Sequence, residues 1–185
     1  MTQEILAEAV RCLTAGNLDQ ARTLAGAVLV TASGDPEALF VLGSAFALSG
    51  APAEAVPLFL RSIEAGGATP ERLYNLGLAQ HQSGDLEGAE RSFFAAILRA
   101  PRFAEAYQSL GVTLAARGNG EDAAAAFRRA VEERPDWIEA HLNLATVLAN
   151  GRQPQAAFAV YRDLLARLPQ NGHILFLTGT AALNA

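Results

Sequence analysis

Lysine is absent from the 185 residues, and all fourteen basic side chains are arginines. This pattern reads as a coding preference rather than a functional signature. Positive charge is also in deficit, the formal net charge being −5. That balance argues against nucleic acid or an anionic membrane as the main partner, because nothing would neutralise a run of phosphates. Cysteine occurs once, at Cys12, which excludes an intramolecular disulfide framework and fits a reducing, cytoplasmic setting. The opening residues, MTQEILAEAVRC, set acids within the apolar run and carry no basic leader, so no signal peptide is expected. No apolar run approaches the roughly 20 residues of a spanning helix.

What is present is repetition. Residues 70–103 read as two amphipathic helices around a short turn. Leu73, Leu76, Gly77 and Gln80 recur at helical spacing in the first. Gly84-Asp85 breaks it, and Asp85 is placed to cap the next helix by accepting from unpaired first-turn N–H groups. Leu86, Ala89, Phe93, Ala96 and Ile97 form the apolar stripe of the second helix, which Pro101 stops. Such a hairpin cannot bury its stripe alone. Counting from Gly77, the same site returns every 34 residues as Ala9, Gly43, Gly77, Gly111, Ala145 and Gly179. Ala21, Ala55, Ala89, Ala123 and Ala157 keep the same step, as do Ser33, Gly67, Pro101, Pro135 and Pro169.

The period and its residues resemble the tetratricopeptide repeat, whose pattern runs through a bulky residue, Leu-Gly, Ala, Phe/Tyr, Ala and Pro. Here the pattern is Leu73, Leu76-Gly77, Ala89, Phe93, Ala96, Pro101, then Tyr107, Leu110-Gly111, Ala123, Phe127, Ala130, Pro135. The resemblance covers essentially the whole chain and is of the bacterial type. It implies an all-α, right-handed α-solenoid, read as one array over residues 1–185. Five helix-turn-helix repeats (2–35, 36–69, 70–103, 104–137 and 138–171) precede a partial sixth at 172–185.

Individual repeats depart from the pattern. The first is degenerate, with Glu8 at the Leu site and Ser33 at the Pro site, which a terminal repeat tolerates. In the second, Asp35-Pro36 makes a helix start. Pro57, inside the second helix, removes an N–H and predicts a kink or a shortened helix near 53–57. Gly66-Gly67 replaces the closing Pro and predicts the loosest joint of the array. From Gly172 an unpaired helix is expected, and Ile174, Leu175, Phe176 and Leu177 make it apolar on more than one face. Either the chain is a fragment of a longer protein, the favoured expectation, or a second copy covers this end by self-association through 172–185.

The chemistry of a catalytic, metal or cofactor site is not apparent. Cys12 lies on an inward stripe and reads as a small buried thiol. His81, His141 and His173 fall in different repeats at spacings that suit no ligand pattern, and His141 reads as a satisfied core histidine. Gly16, Gly50, Gly84 and Gly118 are turn glycines at the repeat period, not a phosphate loop. Glu37, Glu71, Glu105 and Glu139 occupy first turns, where an acid complements the helix dipole.

In the family, first helices line a concave surface that binds extended peptides or helices. The stripe opposite the packed face runs through the second, fifth, sixth, ninth and twelfth places of each repeat. It gives Phe40, Tyr74, Gln108 and Leu142 at the fifth place, and Asn75, Ser109 and Asn143 at the sixth. Ser44, Leu78, Val112 and Thr146 stand at the ninth, and His81 at the twelfth. An aromatic at these places can also pack on its neighbour. Chaperone-binding members of the family clamp a carboxylate with Lys, Asn and Arg, which this groove lacks. An asparagine ladder like that of the nuclear glycosyltransferase's solenoid is matched by Asn75 and Asn143, while Val41 and Ser109 depart from it. The expectation is a non-enzymatic scaffold for a protein or peptide. The alternative is the recruiting arm of a larger enzyme such as a sulfotransferase, glycosyltransferase or aspartyl hydroxylase, by analogy.

Overall fold

The computed structural model describes residues 2–184 and holds eleven helices and no strand among them. The all-α expectation is met. Two compact units divide the chain, one running through Ala100 and the other starting at Pro101.

The first unit is three hairpins: α1 (Thr2–Thr14) with α2 (Leu18–Thr31), α3 (Pro36–Leu48) with α4 (Pro52–Gly66), and α5 (Pro70–Gln82) with α6 (Leu86–Arg99). Each second helix also packs on the following first helix, α2 on α3 and α4 on α5, while α1 meets α3 and α3 meets α5. The second unit repeats the scheme. It pairs α7 (Ala104–Ala116) with α8 (Gly120–Glu133) and α9 (Ile138–Asn150) with α10 (Pro154–Arg167), and α11 (Gly172–Asn184) lies on α10.

In three of the hairpins the small residue at the repeat period has a steric cause. A Cβ at Gly43 would sit 3.0 Å from the Phe59 ring, at Gly77 2.7 Å from Phe93, and at Gly111 2.6 Å from Phe127. All three rings are fully buried. In these three hairpins the helices close over the ring and leave no room for a methyl group. Where Ala9 replaces the glycine the ring site holds Ala25, whereas in repeat five Ala145 stands opposite Tyr161, so that hairpin accommodates the methyl.

Helix starts follow the sequence closely. The Asp35 carboxylate accepts the Ala38 N–H at 2.8 Å ahead of Pro36. Asp85 accepts the Gly88 N–H at 2.9 Å, and Thr69 the Arg72 N–H at 3.2 Å. The acids at 37, 71, 105 and 139 all lie in first turns. The turn glycines 16, 50, 84 and 118 have φ between 78° and 88°, and Arg152 takes the fifth such place at φ 57°.

Of the kink or shortening expected at Pro57, shortening does not occur: α4 continues through Pro57 and its fifteen residues make it the longest helix described. The neighbouring Ala53 is exposed, so water can satisfy the carbonyl that Pro57 leaves without a donor. Nor is the Gly66-Gly67 joint loose. The buried Arg72 guanidinium donates to Gly66 O at 2.8 Å and Gly67 O at 3.3 Å, and pairs with Glu37. A Cβ at Gly66 would meet Pro36 at 2.5 Å and Arg72 at 2.7 Å, so this glycine makes room for the brace. Ser62 Oγ adds a bond to Pro36 O at 2.7 Å.

Candidate functional site

The twelve candidate residues fall on α3 and α5 in the first unit and on α7 and α9 in the second, so they form two sets. In the first, Phe40 and Tyr74 have their rings tilted against Phe59 and Phe93. The centroids are 5.7 and 5.8 Å apart and the planes meet at 51° and 52°. The fifth place is thus partly committed to the hairpin's own core, and both rings are only half-buried. Ser44 is buried beside them. Asn75, Leu78 and His81 are half-buried on α5. One amide hydrogen of Asn75 is used within the helix, its Nδ2 donating to Glu71 O at 2.8 Å.

In the second set, Val112 and Thr146 are exposed, and Ser109, Leu142 and Asn143 are half-buried. The Thr146 hydroxyl donates to Leu142 O, and Thr113 to Ser109 O, each at 2.8 Å. Gln108 differs from its counterparts. It replaces the aromatic, is 5% exposed, and neither its Oε1 nor its Nε2 has a hydrogen-bond partner.

Three further titratable groups have structural partners. His141 is buried, with Nε2 3.0 Å from Pro135 O, the satisfied core histidine expected. Cys12 is buried, and its thiol is pushed up by that burial and then by the Glu8 carboxylate, with Sγ 3.8 Å from Oε1. Burial alone would raise Glu105. The hydrogen bond from Arg134, its own backbone N–H and the guanidinium charge together hold it below the ordinary carboxylate range. Among the described residues, no group of three or more His, Cys, Asp or Glu side chains is placed to hold a metal ion. No described helix is long and apolar enough to cross a membrane.

Sequence reasoning missed an outward apolar pair, Phe94 and Leu98 on α6, with Leu60 at the matching place on α4. Repeat four carries Arg128 and Glu132 at those two places, and that contrast was the available signal.

A family model described as tetratricopeptide repeat matches residues 6–71, 74–138 and 109–172. No curated protein matches the chain. Among solved structures, MamA 41-end from Desulfovibrio magneticus RS-1 has a TM-score of 0.83 at 22% identity, over 92% of this chain and 97% of that one. YrrB, described as a TPR protein with an unusual peptide-binding site, has a TM-score of 0.79 at 19% identity, over 93% and 89%. The pilF structure from Pseudomonas aeruginosa has 0.81 at 18%, over 98% of this chain and 82% of that one. At such identities the likeness is one of fold.

Proposed function

Because the chain belongs to the tetratricopeptide repeat family, we propose that it is a non-enzymatic protein-interaction scaffold whose first helices hold extended, apolar or amphipathic peptide segments. The observation that carries the reading is the make-up of the first-helix faces. Tyr74 and Leu78 flank Asn75 on α5, Leu142 and Thr146 flank Asn143 on α9, and Val112 stands on α7, all of them at least partly accessible. Apolar side chains supply contact area, and an amide can bond the backbone of an extended peptide. None of the twelve residues is Lys, Arg, Asp or Glu, so no charged clamp contributes.

The test is selection of binders from a random peptide library, followed by calorimetric titration. Asn75→Ala and Asn143→Ala should weaken binding about fivefold to tenfold each, near 1 kcal/mol for a hydrogen bond, with the helical spectrum unchanged. Unchanged affinity in the double variant would remove the amide role.

A second reading, self-association through α11, is favoured by the exposure of Leu175, Phe176 and Leu183 beside buried Ile174. Sedimentation of the chain and of its Phe176→Glu variant decides it. A sedimentation coefficient that falls on substitution supports a dimer, and a monomer in both excludes it.

A further inference from the structure

A cleft of about 400 Å³ opens in the second unit, between the start of α8 and the end of α9. Its origin lies in two missing side chains. At the place of Gly120 the other repeats carry Leu18, Pro52, Leu86 and Pro154, and at the place of Ala124 they carry Arg22, Val56, Glu90 and Phe158. Val147, on α9, is half-buried, whereas Ala45 and Ala79 at the matching place are 0% exposed. A Cβ on Gly120 would meet only Val147 Cγ1, at 3.9 Å, so nothing steric requires glycine there. Its φ is not positive either, so no turn demands it.

The cleft is amphipathic. Val147 supplies the accessible apolar side over the buried Ala124 and Leu148, and Glu121, Asn150 and Gln153 supply polar groups. Glu121 is the one charged residue among those lining it. Leu148, Asn150 and Gly151 bring in the C-terminal end of α9, whose last turn holds no basic residue to complement its dipole. Arg117 and Arg152 flank the cleft in sequence but do not line it.

We propose that this cleft receives a long cationic side chain, arginine or lysine, from a partner protein. The aliphatic stem lies along Val147, and the charged end meets the Glu121 carboxylate and the end of α9. This contact uses none of the twelve groove residues, Asn75 and Asn143 included.

The test uses the whole chain and N-acetyl-arginine amide as the probe. N-acetyl-leucine amide and N-acetyl-glutamate amide serve as comparators. The readout is NMR shift of the Val147 methyls and of the Gly118, Gly120 and Gly151 amides. Saturable shifts with the arginine derivative are expected, with affinity about threefold weaker in Glu121→Gln, the worth of a partly exposed ion pair. They should vanish in the Gly120→Pro/Ala124→Val double variant, which carries the uncharged residues of repeat two. Absent or unsaturable shifts overturn the proposal, as do equal binding of the leucine or glutamate derivative and binding that survives the filled cleft. Because Glu121→Gln alters only an exposed side chain, its result stands even if the double variant misfolds.

Discussion

At the scale of single residues, Arg152 is held in a left-handed backbone conformation that glycine occupies in the other four turns. A side chain there costs roughly 1–2 kcal/mol, partly offset by the greater freedom glycine restores to the unfolded chain. Arg152→Gly should therefore stabilise the second unit by about 0.5–1 kcal/mol in denaturant titration. Gln108 carries a larger cost, because two buried polar atoms lack partners. Gln108→Leu should raise stability by about 1–2 kcal/mol on the same measurement, since an apolar group of similar size needs no hydrogen bond. Glu105 gives the pH-dependent term. Its folded carboxyl is held below the ordinary value of 4.5, so its contribution is present above that pH and is lost as pH falls through the lower folded value. Both partners are more than a third exposed, which limits the contribution to about 0.5 kcal/mol. Glu105→Gln should remove that slope below about pH 4.5 in acid titration of the unfolding midpoint.

At the scale of elements, the glycine–phenylalanine contact sets how closely the two helices approach in the hairpins of Gly43, Gly77 and Gly111. Gly111→Ala places a methyl 2.6 Å from Phe127 and should cost about 1–3 kcal/mol by equilibrium unfolding. Gly43→Ala, at 3.0 Å, should cost less. Most elements were legible because their punctuation is local: Asp35-Pro36, Asp85 and the turn glycines act within a few residues of the helix ends they define. The site was harder to read. Phe40 and Tyr74 stand at groove places by helical spacing, yet each leans on a phenylalanine 19 residues later, a contact that spacing within one helix does not reveal. The Arg72 brace was hidden for the same reason, since its acidic partner lies 35 residues earlier. Gly120 escaped notice because a glycine two residues after Gly118 reads as more turn, although it opens α8.

At the scale of the whole molecule, stability in such an array is a sum of hairpin terms and nearest-neighbour terms. Arg72 is the clearest neighbour term in the first unit, joining α5 to the end of α4 and the start of α3. Arg72→Ala leaves two carbonyls and a carboxylate without their donor and should cost about 2–3 kcal/mol. The urea transition of the variant should also become shallower than that of the parent, because the hairpins it joins would no longer melt together. A transition of unchanged slope would mean that the apolar contacts alone carry the coupling.

The two kinds of contact differ in what they record. Each glycine–phenylalanine pair is complete within its own 34-residue segment, so copying or reordering segments would carry every pair along intact. The bond from Arg72 to Glu37 reaches into the preceding segment and survives only if those two stay adjacent in that order. Pairs of the first kind make the three segments that hold them self-contained building blocks, and a link of the second kind ties one block to a particular predecessor.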